Sequence, residues 1–139
     1  MHLPSRLLIA LALTSGFVLP AQADKTCLVK KFRYTNDGGY VAKNFTIRNV
    51  NAKDKRGGQL SYLDSKTWTL KEQNGIVEGR EIWLEYVIAS GVNEFQSCGK
   101  DGTKLIFDSE KGNTWEYKSY GTTSDGNRCR FASNECIEK

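Results

Sequence analysis

Glu81-Ile82-Trp83-Leu84-Glu85-Tyr86-Val87-Ile88-Ala89 alternates side chain by side chain. Ile82, Leu84, Tyr86 and Ile88 share one parity, and Glu81, Trp83 and Glu85 share the other. Successive side chains of a strand point to opposite faces, so the pattern is that of a strand with one face in a core. Its β-branched and aromatic content, with no Gly or Pro inside, suits a central strand.

Working outward, the same kind of signal recurs in short runs. Thr26–Tyr34 and Tyr40–Arg48 flank Asn36-Asp37-Gly38-Gly39, which reads as the turn of a hairpin because Asn and Gly tolerate positive φ. In the second run Val41, Phe45 and Ile47 are placed on one side. Asn49–Gln59 is polar and basic and reads as a mobile loop. Leu60–Leu63 and Thr67–Lys71 are short strand candidates, the latter with Trp68 and Leu70 inward. Val92–Cys98, Lys104–Asp108, Thr114–Tyr120 and Arg128–Phe131 follow, separated by turn-forming residues. No segment beyond the leader has helical periodicity. Short strands at regular spacing predict an all-β fold, a small antiparallel β-sandwich, with a small β-barrel as the alternative.

The leader sets the compartment. Arg6 precedes an apolar run from Leu7 to about Val18, Pro20 breaks it, and Ala21-Gln22-Ala23 supplies small residues for cleavage before Asp24. Residues 1–23 therefore read as a signal peptide of bacterial type, and residues 24–139 as one β-rich domain, secreted or periplasmic. A membrane anchor fits less well, because the apolar run is short for a span. Cys27, Cys98, Cys129 and Cys136 all follow the leader, and an even count in an oxidising compartment predicts two disulfides. Of the three pairings, Cys129–Cys136 and Cys27–Cys98 are preferred, the first closing a short C-terminal loop.

The inventory excludes several chemistries. His2 is the one histidine of the sequence and leaves with the leader. Ser-His-Asp and Cys-His catalysis and nearly all catalytic zinc sites go with it. There is no phosphate-binding glycine motif, so neither a cofactor nor a metal is expected. The net charge of +4 loses one unit with Arg6, leaving a mildly basic chain without the dense stripe of a nucleic-acid binder. No transmembrane segment is expected after processing.

Three surfaces remain as candidates. Trp83, between Glu81 and Glu85 on the polar face, suits stacking on a sugar or anchoring at an interface, against the plainer expectation that it is covered. Lys53, Lys55 and Arg56, with Lys30, Lys31 and Arg33, form a cationic set; the plainer expectation is solvated edge charge. Tyr120, Arg128, Arg130 and Phe131 cluster near the C-terminal cysteines.

These point first to a non-enzymatic binding protein that recognises a protein or cell-envelope partner, of the inhibitor or immunity type or a secreted interaction factor. The alternative is a carbohydrate- or membrane-surface-binding module, lectin-like or cytolysin-like. A carboxylate-based glycoside hydrolase comes third. Glu81 and Glu85 have Cα atoms about 13 Å apart on a strand, too wide to favour the retaining geometry.

Overall fold

The computed structural model describes residues 25–89, 94–98, 102–123, 128–132 and 134–139. The leader at residues 1–23 and the turns expected around 90–93 and 99–101 lie outside them. Among the described residues there are nine strands and no helix. A five-stranded sheet holds β1 (Lys25–Asn36), β4 (Ser65–Thr69), β7 (Thr103–Phe107), β8 (Asn113–Tyr120) and β9 (Arg128–Phe131). A four-stranded sheet holds β2 (Val41–Arg48), β3 (Lys53–Leu60), β5 (Trp83–Ala89) and β6 (Glu94–Ser97), in the order β3-β2-β5-β6. The two sheets lie face to face as a sandwich and do not close into a barrel.

The opening stretch becomes β5, with Ile82, Leu84, Tyr86 and Ile88 buried to 1 % exposure or less. Residues 79–82 lead into it along β7: the Ile82 N–H donates to Leu105 O and the Phe107 N–H to Arg80 O. The chain thus leaves one sheet and enters the other at Trp83. Opposite β5, Tyr34 of β1 places its ring 4.9 Å from Phe45 and 5.1 Å from Tyr86. Ring pairs of this kind add about 0.5–1.5 kcal/mol each beyond burial, so the sheets are locked by aromatics at the centre.

The four-stranded sheet is antiparallel throughout. The other sheet adds parallel pairing of β1 with β7 and β8 to antiparallel pairing with β4. Strand β1 changes partners at a register shift between Val29 and Lys31. Gly112, in the β7–β8 turn, lies against the Val29–Lys30 backbone there, and any Cβ would collide with it.

Several expectations need correction. β1 and β2 are not a hairpin: they belong to different sheets. Asn36, fully buried, donates to Tyr40 O at 2.6 Å and to Leu60 O at 3.1 Å and accepts from the Gly38 N–H and the Ser119 hydroxyl. The Asn-Asp-Gly-Gly turn is therefore a crossing between layers, pinned by its first side chain. In β2 the buried set is Ala42, Phe45 and Ile47, not Val41, because Asn44 at φ 55° and a register shift reverse the parity. Residues 53–60 are strand β3, not loop. Their polar sequence hides an inward charged side chain, Asp54, which is 3 % exposed; the other buried residue, Leu60, closes the strand. Residues 61–64 turn the chain between β3 and β4.

The disulfides are Cys27–Cys136 and Cys98–Cys129, which overturns the preferred pairing. The reason is the extension of the C-terminal segment. After β9 the Ala132 N–H donates to Glu116 O, Asn134 bonds the Glu116 backbone in both directions, and Asn113 donates to Glu135 O. These contacts seat residues 132, 134 and 135 along β8 and bring Cys136 to β1, away from Cys129. Cys129 instead faces inward and joins the edge of one sheet to Cys98, just past β6 in the other.

Candidate functional site

Trp83 lies on the outer face of the four-stranded sheet, half-buried, as its alternation requires. It is not core. Arg48 of β2 is its cross-strand partner. The indole N–H donates to Glu85 Oε1 at 2.9 Å, and Arg48 Nε lies 3.6 Å from the same oxygen. Glu85 is therefore held between an indole and a guanidinium. Glu81 stands outside β5, in an isolated bridge to Ile106 of β7. The two carboxylates are thus carried by different local frameworks, one at the crossing between sheets and one inside a ladder.

The cationic set divides. Lys53 and Lys55 are exposed on edge strand β3. Arg56 is not a free charge: its Nε pairs with Asp54 and its Nη2 donates to Thr69 O at 3.4 Å. Asp54 also accepts from Gln73 at 2.6 Å and Asn74 at 2.9 Å. Burial opposes the charged form of Asp54, but the Gln73 and Asn74 donors and the Arg56 charge outweigh it, so its carboxyl is held below the ordinary value. Arg56 and Asp54 belong to the framework that ties β3 to the turn after β4.

Lys31 and Arg33 lie in the other sheet, on its outer face. β1 buries Phe32, Tyr34 and Asn36, and β8 buries Trp115, Tyr117 and Ser119. The alternate residues Lys31 and Arg33, with Glu116, Lys118 and Tyr120, point away from the core. On β9, Cys129 and Phe131 turn inward, the latter 4.9 Å from the Trp115 ring, while Arg128 and Arg130 are exposed. The antiparallel register sets Tyr120 opposite Arg128 and Lys118 opposite Arg130. Tyr120, Arg128, Arg130 and Phe131 line an open groove of about 360 Å³ at the end of this hairpin. The sequence cluster is thus assembled in space, and Lys118 joins it. Lys118 was missed, although its parity opposite Trp115 and Tyr117 was the available signal.

The same end of the sandwich carries the β3–β4 turn, where the Leu63 N–H donates to Asn36 O. Tyr62 and Leu63 are 58 % and 61 % exposed, and Leu63 takes φ 66°, a conformation that costs a branched L-residue about 1–2 kcal/mol. At the opposite end, Asn49, Val50, Gly75, Val77 and Arg80 border a second recess of about 320 Å³.

Among the described residues, no group of three His, Cys, Asp or Glu could hold a metal ion, and no helix is long and apolar enough to cross a membrane. Burial raises the phenols of Tyr34, Tyr86 and Tyr117 far above the ordinary value. Tyr34 donates to Ser119 at 2.6 Å, and the Tyr40 and Tyr86 hydroxyls are 3.1 Å apart. These phenols belong to the packed interior.

No protein-family model matches the chain, and no curated protein matches it. Solved structures do. Pneumolysin aligns at 15 % identity and a TM-score of 0.45, covering 76 % of this chain and 23 % of that one. The membrane-binding domain of pneumolysin aligns at 11 % identity and a TM-score of 0.41, covering 76 % of this chain and 97 % of that one. Intermedilysin, solved with human CD59, aligns at 13 % identity and a TM-score of 0.44, covering 76 % and 24 %. The chain spans about a quarter of the length of the whole toxins. What it binds must be read from its own surfaces.

Proposed function

We propose that this is an exported, non-enzymatic recognition protein that holds a cell-envelope or protein partner against the β8–β9 hairpin. The observation that carries this reading is the direct opposition of Tyr120 and Arg128 beside the groove they share with Arg130 and Phe131. Aromatic and arginine side chains are the commonest anchors of binding surfaces, because one buries area cheaply and the other bonds through a rigid fork. The Cys98–Cys129 bridge fixes β9 against the opposite sheet, so little ordering cost remains to be met on binding. Two disulfides fit an oxidising, extracytoplasmic compartment. An inhibitor or immunity role would be a special case in which the groove takes a segment of an enzyme.

The test is co-sedimentation of the processed protein with washed bacterial envelope fragments, comparing wild type with Tyr120→Ala/Arg128→Ala. Retention lost in the variant, with unchanged circular dichroism, supports the reading; equal retention refutes it.

A second reading, docking on a membrane surface, is favoured by Tyr62 and Leu63, exposed side by side at that same end. It requires binding to protein-free vesicles that Leu63→Ser weakens, and fails if vesicles are ignored.

A further inference from the structure

The outer face of the five-stranded sheet carries its cations in a line. Beyond the register shift, the outward positions of β1, β4, β8 and β9 hold Lys31, Arg33, Lys118, Arg130 and Arg128 against one carboxylate, Glu116. The register fixes their order. Arg33 follows Lys31 two residues along β1. Lys118 stands one strand over, beside Thr35, and Arg130 one strand further at the same level. Arg128 lies two residues beyond. With strands about 4.8 Å apart and about 3.3 Å per residue, the five backbone positions trace a diagonal about 22 Å long, with neighbours about 5–8 Å apart. Among the described residues no ion pair ties any of the five to a carboxylate; the ion pairs there are Arg48–Glu85 and Arg56–Asp54. Off the diagonal the face holds Ser65, Thr67 and Thr69 on β4, Thr35 on β1, and Thr114 and Glu116 on β8, with Glu116 beside Arg33 in the register.

We propose that this diagonal is a binding track for a linear acidic polysaccharide, one bearing a carboxylate or sulfate on successive sugars. The inference rests on the hairpin reading above, since Tyr120, Arg128 and Arg130 form one end of the track, and it supplies the chemical class of the envelope partner. Charge complementarity selects a polyanion. The linear layout selects a chain rather than a bilayer, to which cations anywhere on the face would contribute equally. Apart from Tyr120, the outward positions past the shift offer no large apolar side chain to enter lipid. A single-stranded nucleic acid calls for aromatic platforms along its path, and here one aromatic stands at the end. The three guanidiniums match carboxylate and sulfate in bidentate geometry, and Tyr120 is placed to stack on a terminal sugar.

The experiment is titration calorimetry of the processed protein with long-chain alginate, an alginate disaccharide, heparin and neutral dextran. Phosphatidylglycerol vesicles and a single-stranded oligonucleotide serve as competing polyanions. The variants are Lys31→Gln/Arg33→Gln at the far end and Arg128→Gln/Arg130→Gln at the hairpin, all outside the core. Long alginate or heparin should bind and dextran should not; alginate alone assigns the carboxylate, heparin alone the sulfate. The far-end variant should weaken the long chain about three- to tenfold and leave the disaccharide unchanged. The inference is overturned if neither acidic chain binds, if the far-end variant binds the long chain as wild type does, or if vesicles or the oligonucleotide bind as tightly through the same residues. Should envelope retention require Tyr120 and Arg128 while Lys31 and Arg33 prove dispensable, the track fails and the hairpin reading stands.

Discussion

Cys98 and Cys129 join the edges of the two sheets, with Cα atoms 4.9 Å apart, directly beneath the hairpin that presents Arg128 and Arg130. The bridge closes a span of 31 residues, and Cys27–Cys136 closes one of 109. In the chain-entropy account these are worth about 4 and about 5 kcal/mol. Peptide mapping of the non-reduced protein should return these two pairs. Cys98→Ser/Cys129→Ser should lower the urea midpoint by an amount equivalent to about 4 kcal/mol, and recovery of a Cys129–Cys136 peptide would contradict the fold.

Asn36 holds one end of the sandwich together. Its amide donates to Tyr40 O and Leu60 O and accepts from the Gly38 N–H and the Ser119 hydroxyl. Asn36→Ala strands two buried carbonyls, the Gly38 N–H and the Ser119 hydroxyl, so a loss of about 3 kcal/mol is expected in chemical denaturation. A change under 1 kcal/mol would mean that the crossing is held by something else.

Stability should fall at both extremes of pH, through different residues. Asp54 has a lowered carboxyl, so its contribution is complete above the unfolded value, near 4, and is lost as pH falls through the folded value. Asp54→Ala should be less stable at pH 7 and show a flatter acid limb. Tyr34, Tyr86 and Tyr117 have raised phenols, so their contribution is complete below about pH 10 and declines above it. Ultraviolet titration should show three phenolates that form only together with unfolding. Smooth ionisation of all six tyrosines in the folded protein would exclude that burial.

The parts of the fold that show in the sequence are those where one face is apolar. Ile82, Leu84, Tyr86 and Ile88 announce β5, and Trp115 and Tyr117 announce β8, because nothing interrupts their period of two. β3 is hidden because an inward residue, Asp54, is an aspartate satisfied by Gln73 and Asn74, partners no local pattern reveals, and the apolar Leu60 stands only at its end. Asn36-Asp37-Gly38-Gly39 reads correctly as a turn but not as a crossing, since that depends on Tyr40 O, Leu60 O and Ser119 meeting one side chain. Proximity in sequence misleads for Cys129 and Cys136, because the bonds of Ala132, Asn134 and Glu135 to β8 lead Cys136 to β1. At the candidate site, Tyr120, Arg128 and Arg130 are legible as a cluster. Their alignment with Lys31, Arg33 and Lys118 requires the parallel β1–β8 register, which the sequence does not specify. Arg56 reads as a surface charge only until its partner Asp54 is seen.

The hairpin's role is tested most directly by hydrogen exchange of the processed protein, alone and bound to envelope fragments. Protection gained in residues 113–120 and 128–131, with β2, β3, β5 and β6 unchanged, is the expected result. Protection centred on Trp83 and the four-stranded sheet, with the hairpin exchanging as in the free protein, would contradict it.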